Sequence, residues 1–280
     1  MQKINITGVI NAKNESRYIG QAIASLQTFA QEVIVADMAS TDNTRDIANN
    51  MGAKVIEVKD FGYVEPARAL AVESASHEWI FVLDADEIVP LPLADELRRL
   101  ALAGSGDAFS IPELNFMFGV PIRHTGWSPD LDRHVRFFRK GSVHLSNVIH
   151  DPIREISGAT LYALPAKDEF SIHHFNYSDW SSFLRKLDRY TTVEANHRFA
   201  SGETISGPRV AGNMAKEFLR RFIKHQGYRD GYRGAVLTSL MMTYQLAIYA
   251  KLRQLREVGD EAKIVSGYMQ RAQQLRDKHK

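Results

Sequence analysis

The chain has no cysteine in any of its 280 residues. That excludes a disulfide framework, a thiolate metal site and a cysteine nucleophile; it fits a reducing compartment and leaves oxygen or imidazole to hold any metal. Long apolar runs are also missing. The one candidate, 234–250, is 17 residues without a charge but contains Thr238, Ser239, Thr243, Tyr244 and Gln245, so a buried or interfacial helix is expected rather than a membrane span. The opening MQKINITGVINAKNES lacks the apolar stretch of a signal peptide, and the expectation is a cytoplasmic protein. Neither GxxxxGK[ST] nor a strand-linked GxGxxG occurs. A phosphate-bearing ligand would then be held by metal with Arg or Lys instead of a glycine cradle. There is no repeat and no low-complexity tract.

With 44% hydrophobic and 24% charged residues, the composition is that of a globular chain, long enough for one large domain or two small ones. Its net charge of +2 conceals an asymmetry: residues 1–180 carry 16 Lys+Arg against 24 Asp+Glu, and 181–280 carry 19 against 9. The last hundred residues are a basic module, suited to nucleic acid, anionic lipid or a phosphorylated substrate.

Apolar runs and helical patterns alternate through the first hundred residues. Strands are expected over 4–10, 32–36, 54–58 and 79–83, with helices over 18–29, 41–51 and 65–74, the second capped by Ser40 or Thr41. Alternation at this spacing means crossover units on a mostly parallel sheet, with ligands beyond the carboxyl ends of the strands. The segments just past those strands are polar: Asn11–Glu15, Asp37–Asp42 and Asp84–Glu87. Residues 107–175 are richer in aromatics and extended patterns, and from Asp179 onward the pattern is helical. The expected domains are 1–178 and a basic helical 179–280.

WIFVLDADE is the strongest local signal. A buried strand emptying into Asp84-Ala85-Asp86-Glu87 offers alternate carboxylates to Mg²⁺ or Mn²⁺, which can bridge to a diphosphate; the same acidic loop also suits plain capping of the next helix. Asp37, at a strand end, is placed to accept from a base or ribose, while Asp42 fits an N-terminal turn residue. Arg185, Lys186 and Tyr190 fall three to five residues apart on one expected helix, able to reach a diphosphate or to face solvent. Arg136 and Arg139, in VRFFRK, are placed to meet phosphate or acceptor, and Trp127 to stack on a sugar or to be buried.

ITGVINAKNESRYIGQAIASL, VIVADMASTDNT, Ala67-Arg68 and WIFVLDADE, in that order and spacing, resemble the nucleotide-sugar domain of family 2 glycosyltransferases of the GT-A fold. HTGWSPDLDRHVRFFRKG, NVIHDPI, HHFNYSDWSSFLRKLDRY and GYRDGYRGAVLTSLMMTYQLAIYAK resemble the bacterial subgroup acting on lipopolysaccharide core or other cell-envelope glycans. The resemblance implies a Rossmann-like, mostly parallel sheet flanked by helices, with a helical C-terminal extension. It implies inverting, metal-dependent transfer from a nucleoside diphosphate sugar, first a UDP-sugar, to an envelope glycan or glycolipid. By it Asn11, Asn14 and Glu15 line the nucleotide, Asp37 meets the base, Arg68 the nucleotide or diphosphate, and Asp84 the ribose or metal. Asp86 binds the metal and His174 approaches it. Asp151 is the implied general base, with Asp130 its competitor and Glu113 a weaker third. Two positions depart from the family pattern: Ala39 stands where Gly is common, and Ala69 where Asn commonly follows the Arg, which puts the donor nucleotide in question.

A peripheral place on the anionic inner face of the plasma membrane is expected, through Arg220, Arg221, Lys224, Arg229 and Arg233 beside 234–250. Two rival readings are weaker. A nucleic-acid-binding protein would leave the strand-end carboxylates unexplained, so no nucleic acid is expected. A nucleotidyltransferase would need a Gly-rich basic loop that NAKNESRYIG does not provide.

Overall fold

The computed structural model describes residues 4–146 and 153–277. It divides into two compact units: residues 1–123 with 127–178, and residues 124–126 with 179–280.

The first unit opens with β1 (Ile6–Ala12), α1 (Ile19–Gln27), β2 (Glu32–Asp37), α2 (Thr44–Asn50), β3 (Lys54–Glu57), α3 (Glu65–Glu73) and β4 (Trp79–Asp84). A two-residue β5 (Glu87–Ile88) and α4 (Leu91–Leu102) come next, then β6 (Ala108–Met117), β7 (Val120–Pro121) and β8 (Arg133–Arg139). The short strands β9 (Val143–His144), β10 (Arg154–Glu155) and β11 (Leu161–Ala163) precede β12 (Ile172–Tyr177). The main sheet runs β3-β2-β1-β4-β8-β6-β12-β5, with β7 and β11 pairing β6 off this path. Pairs among β1 to β4 are parallel, and β8 enters antiparallel to both β4 and β6.

Central strands in such a sheet are buried on both faces, and the residues alternate accordingly. Ile6, Ile10, Trp79, Phe81 and Leu83 join α1 and α4 through Ile23, Leu26 and Leu97. Val9, Ile34, Ile80 and Val82 pack the other way, with Ala67 and Ala71 of α3. The small alanines let α3 lie close on the sheet, which brings Arg68 toward the strand ends.

Expected and observed strands agree to within two residues, but the second helix starts at Thr44 and not at 41, with Asn43 at its N-cap position. Ser40 and Thr41 are engaged instead with the loop after β1, and Asp42 binds both that loop and Thr44 at the start of α2.

The second unit is helical: α5 (Trp180–Ala200), α6 (Gly207–Phe218), α7 (Gly231–Glu257) and α8 (Glu261–Asp277), with a π-helical turn Leu219–Lys224 between α6 and α7. Asp179 caps α5 in a reciprocal box with Ser182. The block GYRDGYRG makes a tight corner: a side chain on Gly234 would sit 1.8 Å from the carbonyl oxygen of Gly227. Asp230 Oδ2 accepts from Thr125 Oγ1 (2.6 Å) and His124 N–H (3.1 Å). Arg221, expected among the surface cations, is instead buried, donating to Thr125 O (2.9 Å) and Glu217 Oε2 (2.8 Å). Among the described residues no helix is long and apolar enough to cross a membrane.

Candidate active site

The chain leaves β1 toward β2 and β3, then returns to the far side of β1 as β4. This switch in direction opens a crevice beyond the strand ends. Register places the polar residues there side by side: Asn11 of β1 pairs Ala36 and Asp84, and Ala12 pairs Asp37. Asn11 is buried with neither amide atom partnered. Asp37 is fully buried; its Oδ2 accepts from Arg45 Nη2 (2.8 Å) and Ser40 N–H (3.3 Å), while Oδ1 has no partner.

The loops after β1 and β2 are laced together. Asn14, at φ 58°, accepts from Thr41 N–H (2.8 Å) and donates its own N–H to Ser40 Oγ (2.9 Å). Glu15 N–H donates to Thr44 Oγ1 (2.8 Å), and Ser16 N–H to Asp42 Oδ2 (3.1 Å). Asp42 serves both sides, its Oδ1 accepting from Thr44 N–H (3.0 Å) at the start of α2, as expected of an N-terminal turn residue. Ala39 sits at φ 55°, the left-handed region that favours glycine.

Beyond β4 lies a buried ionic cluster. Arg136 Nη2 donates to Glu87 Oε1 (2.7 Å), Glu113 Oε1 (2.8 Å) and Asp84 Oδ2 (3.0 Å). A bulge aims it: Phe109 faces Phe137 and Ser110 faces Val135, leaving Arg136 as an extra residue in β8. Arg139 goes elsewhere, with its guanidinium carbon 5.1 Å from the Trp79 ring, so the two arginines do not share a ligand. Arg68 Nη2 is 3.9 Å from Asp84 Oδ1, and its Nε is buried without a partner. His174, pairing Asn115 and Glu87 across its strand, lies 3.5 Å from Asp86 Oδ2 by Nε2 and 3.5 Å from Glu113 Oε2 by Nδ1, the latter without an aligned hydrogen bond.

These contacts set the charges. Burial would raise Asp84, but Arg136 and then Arg68 outweigh it and hold the carboxyl far below its ordinary range. For Glu113 burial is likewise overcome, chiefly by Arg136, and the value falls to about 2. At Glu87 burial wins, helped by Asp84 and Glu113 against the pull of Arg136, and pushes it up to about 8. Burial disfavours the His174 cation, yet Asp86, Glu113 and Glu87 raise it well above the usual imidazole value.

Next to the cluster is a cavity of about 450 Å³ lined by Glu65, Arg68, Asp84, Glu113, Asn115, Asp132, His134, Arg136 and His174, among others. A hollow of about 480 Å³ at the opposite ends of β1 and β4, lined by His77, Trp79 and Arg139, holds none of these groups. It lies where parallel sheets do not bind ligands.

Of the residues expected at the site, the structure gathers Asn11, Asp37, Arg68, Asp84, Asp86, Arg136 and His174 around the ends of β1, β2 and β4, with Asn14 and Glu15 on the adjoining loop. Among the described residues, the ligand-bearing atoms within 4.8 Å of one another are those of Glu87, Glu113 and His174, and of Glu113, Asp132 and His134; Asp84 and Asp86 are in neither set. Lys186 and Tyr190 lie on α5 of the second unit. Asp130 is exposed in a turn and is not among the residues that line the cavity. Asp151 lies outside the described residues. Asp132 and His134 were not legible in the sequence, although the alternation in DLDRH was a weak signal of carboxylates on one side.

Residues 8–141 match the model of Glycosyl transferase family 2. The chain carries a domain of that family, and by class it is a glycosyltransferase. An uncharacterized glycosyltransferase of Rickettsia typhi is 26% identical over 260 residues, 89% of this chain and 87% of that protein. The lipopolysaccharide core biosynthesis glycosyltransferase LpsC of Rhizobium meliloti is 25% identical over 268 residues, 90% of this chain and 93% of that protein. Among solved structures, Mycobacterium tuberculosis glucosyl-3-phosphoglycerate synthase, captured with Mn²⁺, UDP and glucosyl-3-phosphoglycerate, is 26% identical at a TM-score of 0.35. That overlap covers 40% of this chain and 44% of that one, so the chain spans less than half of the mycobacterial protein.

Proposed function

We propose that the protein is an inverting, metal-assisted glycosyltransferase that moves a sugar from a nucleoside diphosphate donor, first a UDP-sugar, to a lipopolysaccharide-core or other envelope glycan or lipid-linked acceptor. One observation carries this reading. Asn11, Asp37 and Asp84 stand side by side at the switch point of the sheet, Asn11 and Asp37 with buried polar atoms unpartnered, and Arg68, its buried Nε also unpartnered, lines with Asp84 a cavity of about 450 Å³. Buried polar atoms without partners are expensive, and an amide, a carboxylate and a guanidinium together suit a base, a ribose and a diphosphate.

The donor set of Asp84, Asp86 and His174, carboxylate oxygens and one imidazole, fits Mg²⁺ or Mn²⁺. Such an ion, when bound there, supplies positive charge against the departing diphosphate. The chain does the rest. Asp37 Oδ1 accepts from the base or ribose, Asn14 and Glu15 line the nucleotide, and Arg68 takes the diphosphate. Arg136 holds Asp84 in its ionised form. Lys186 and Tyr190 are assigned to the diphosphate by the family resemblance. The acceptor class rests on the likeness to LpsC.

Contact with an anionic membrane is supported by the second unit, where Leu219, Ile223, Tyr228 and Tyr232 are each more than half exposed among Arg220, Lys224 and Arg229. Apolar side chains mixed with cations are the composition of an interfacial surface.

The test is thermal stabilisation by UDP-, GDP- and dTDP-sugars with and without Mn²⁺, in the parent chain and in Asp86→Ala. A metal-dependent shift that Asp86→Ala abolishes is expected. Full Mn²⁺-dependent donor binding by that variant would reject the metal assignment, and no shift with any donor would reject the whole reading.

A further inference from the structure

We infer that Asp132 is the general base that takes the proton from the acceptor hydroxyl, an assignment that rests on the transferase reading. Attack on the anomeric carbon forms a bond from the acceptor oxygen to C1 and breaks the bond from C1 to the diphosphate oxygen, which leaves with its electron pair. The acceptor proton must go to a base within reach, and a carboxylate already neutralised by a strong cation is a poor one.

Among the described residues, four carboxylates line the cavity: Glu65, Asp84, Glu113 and Asp132. Asp84 and Glu113 are each within 3.0 Å of Arg136 Nη2, and Glu65 is buried at the first turn of α3. Asp132 differs on both counts. Its side chain is 23% exposed, and no Arg or Lys is paired with it among the described residues.

It is nevertheless fixed in place. Asn176 Nδ2 donates to Asn115 Oδ1 (3.1 Å), which turns the Asn115 amide so that its Nδ2 donates to Asp132 Oδ2 (2.7 Å). His134 Nε2 lies 3.2 Å from the other oxygen, Oδ1. The backbone carbonyl of Asp132 accepts from Glu113 N–H (2.8 Å), tying this corner to β6, the strand that carries Asn115. One oxygen is thus held by a neutral amide and the other is shared with a half-exposed imidazole able to pass the proton on to water. Asp130, two residues earlier in an exposed turn, has none of these supports among the described residues.

The experiment uses the full chain and UDP-, GDP- and dTDP-glucose as probes, measuring nucleoside diphosphate binding by calorimetry and its release by hydrolysis, with water as the simplest acceptor. Asp132→Asn keeps the bond from Asn115 and should bind the nucleoside diphosphate within about twofold of the parent, while release falls roughly 100- to 10,000-fold. Asp132→Glu should recover part of the rate. Asp130→Asn should stay within a few-fold of the parent. The assignment is overturned if Asp132→Asn turns over near the parent rate while Asp151→Asn is inactive with binding intact. It is overturned equally if His134→Gln is inactive and Asp132→Asn is not, because the imidazole would then take the proton. A parent chain that binds none of the probes would remove the transferase reading itself, an outcome distinct from both.

Discussion

Replacing Arg136 with methionine keeps most of the side-chain volume and removes the charge that three carboxylates share. At about 2.8 Å and an effective dielectric near 20, each ionised partner gains about 6 kcal/mol of gross attraction. Asp84 and Glu113 are the two ionised partners, since Glu87 is pushed up to about 8 and stays protonated at neutral pH. Most of that gain is offset by desolvation, and breaking a buried pair by deleting one side costs about 3–5 kcal/mol net. On a domain of this size that is a fall in Tm of roughly 6–20 °C. The assay is thermal and urea unfolding of Arg136→Met, alone and with Glu113→Gln and Asp84→Asn. The added amides should restore part of the loss, because they remove the uncompensated charge. If Arg136→Met melts within about 1 kcal/mol of the parent, or if the added amides make it worse, Arg136 does not hold these carboxylates together.

The second unit carries two more expected outcomes. Gly234→Ala should destabilise that unit by about 3 kcal/mol or more, because the new methyl group meets the Gly227 carbonyl and a backbone atom has no rotamer to give way; an unchanged helical melt would contradict the packing. The protein should pellet with anionic vesicles and not neutral ones and be released by salt, each exposed cation adding about 1 kcal/mol, and Leu219→Ser with Ile223→Ser should weaken the pelleting. Equal binding to both vesicle types would count against the membrane surface.

The parallel half of the sheet was legible because each of its strands is a local event: an apolar run, then a polar stretch and a helical pattern. The strand ends were legible for the same reason, and Asn11, Asp37 and Asp84 fell where alternation placed them. What could not be read depends on pairing between distant segments. Glu113, Arg136 and His174 meet only because β6, β8 and β12 pair, and no pattern in VRFFRK announces a bulge at Arg136. Asp132 stayed hidden because its partner Asn115 is 17 residues away on another strand. The start of α2 was misplaced because Ser40 and Thr41 bond to Asn14 of the first loop, a competitor that a capping rule applied to one segment does not see.

The antiparallel entry of β8 also sets an order of events as the chain is made. Strands β1 to β4 can pair through short-range crossovers, but the cation that joins Asp84 to Glu87 arrives 52 residues after Asp84 and 49 after Glu87. Until then both carboxylates must remain hydrated, so the mouth of the crevice stays open on any intermediate that lacks β8. Closing this part of the sheet and completing the charge cluster are therefore one step in folding, and the parallel half forms as a scaffold before the cluster exists.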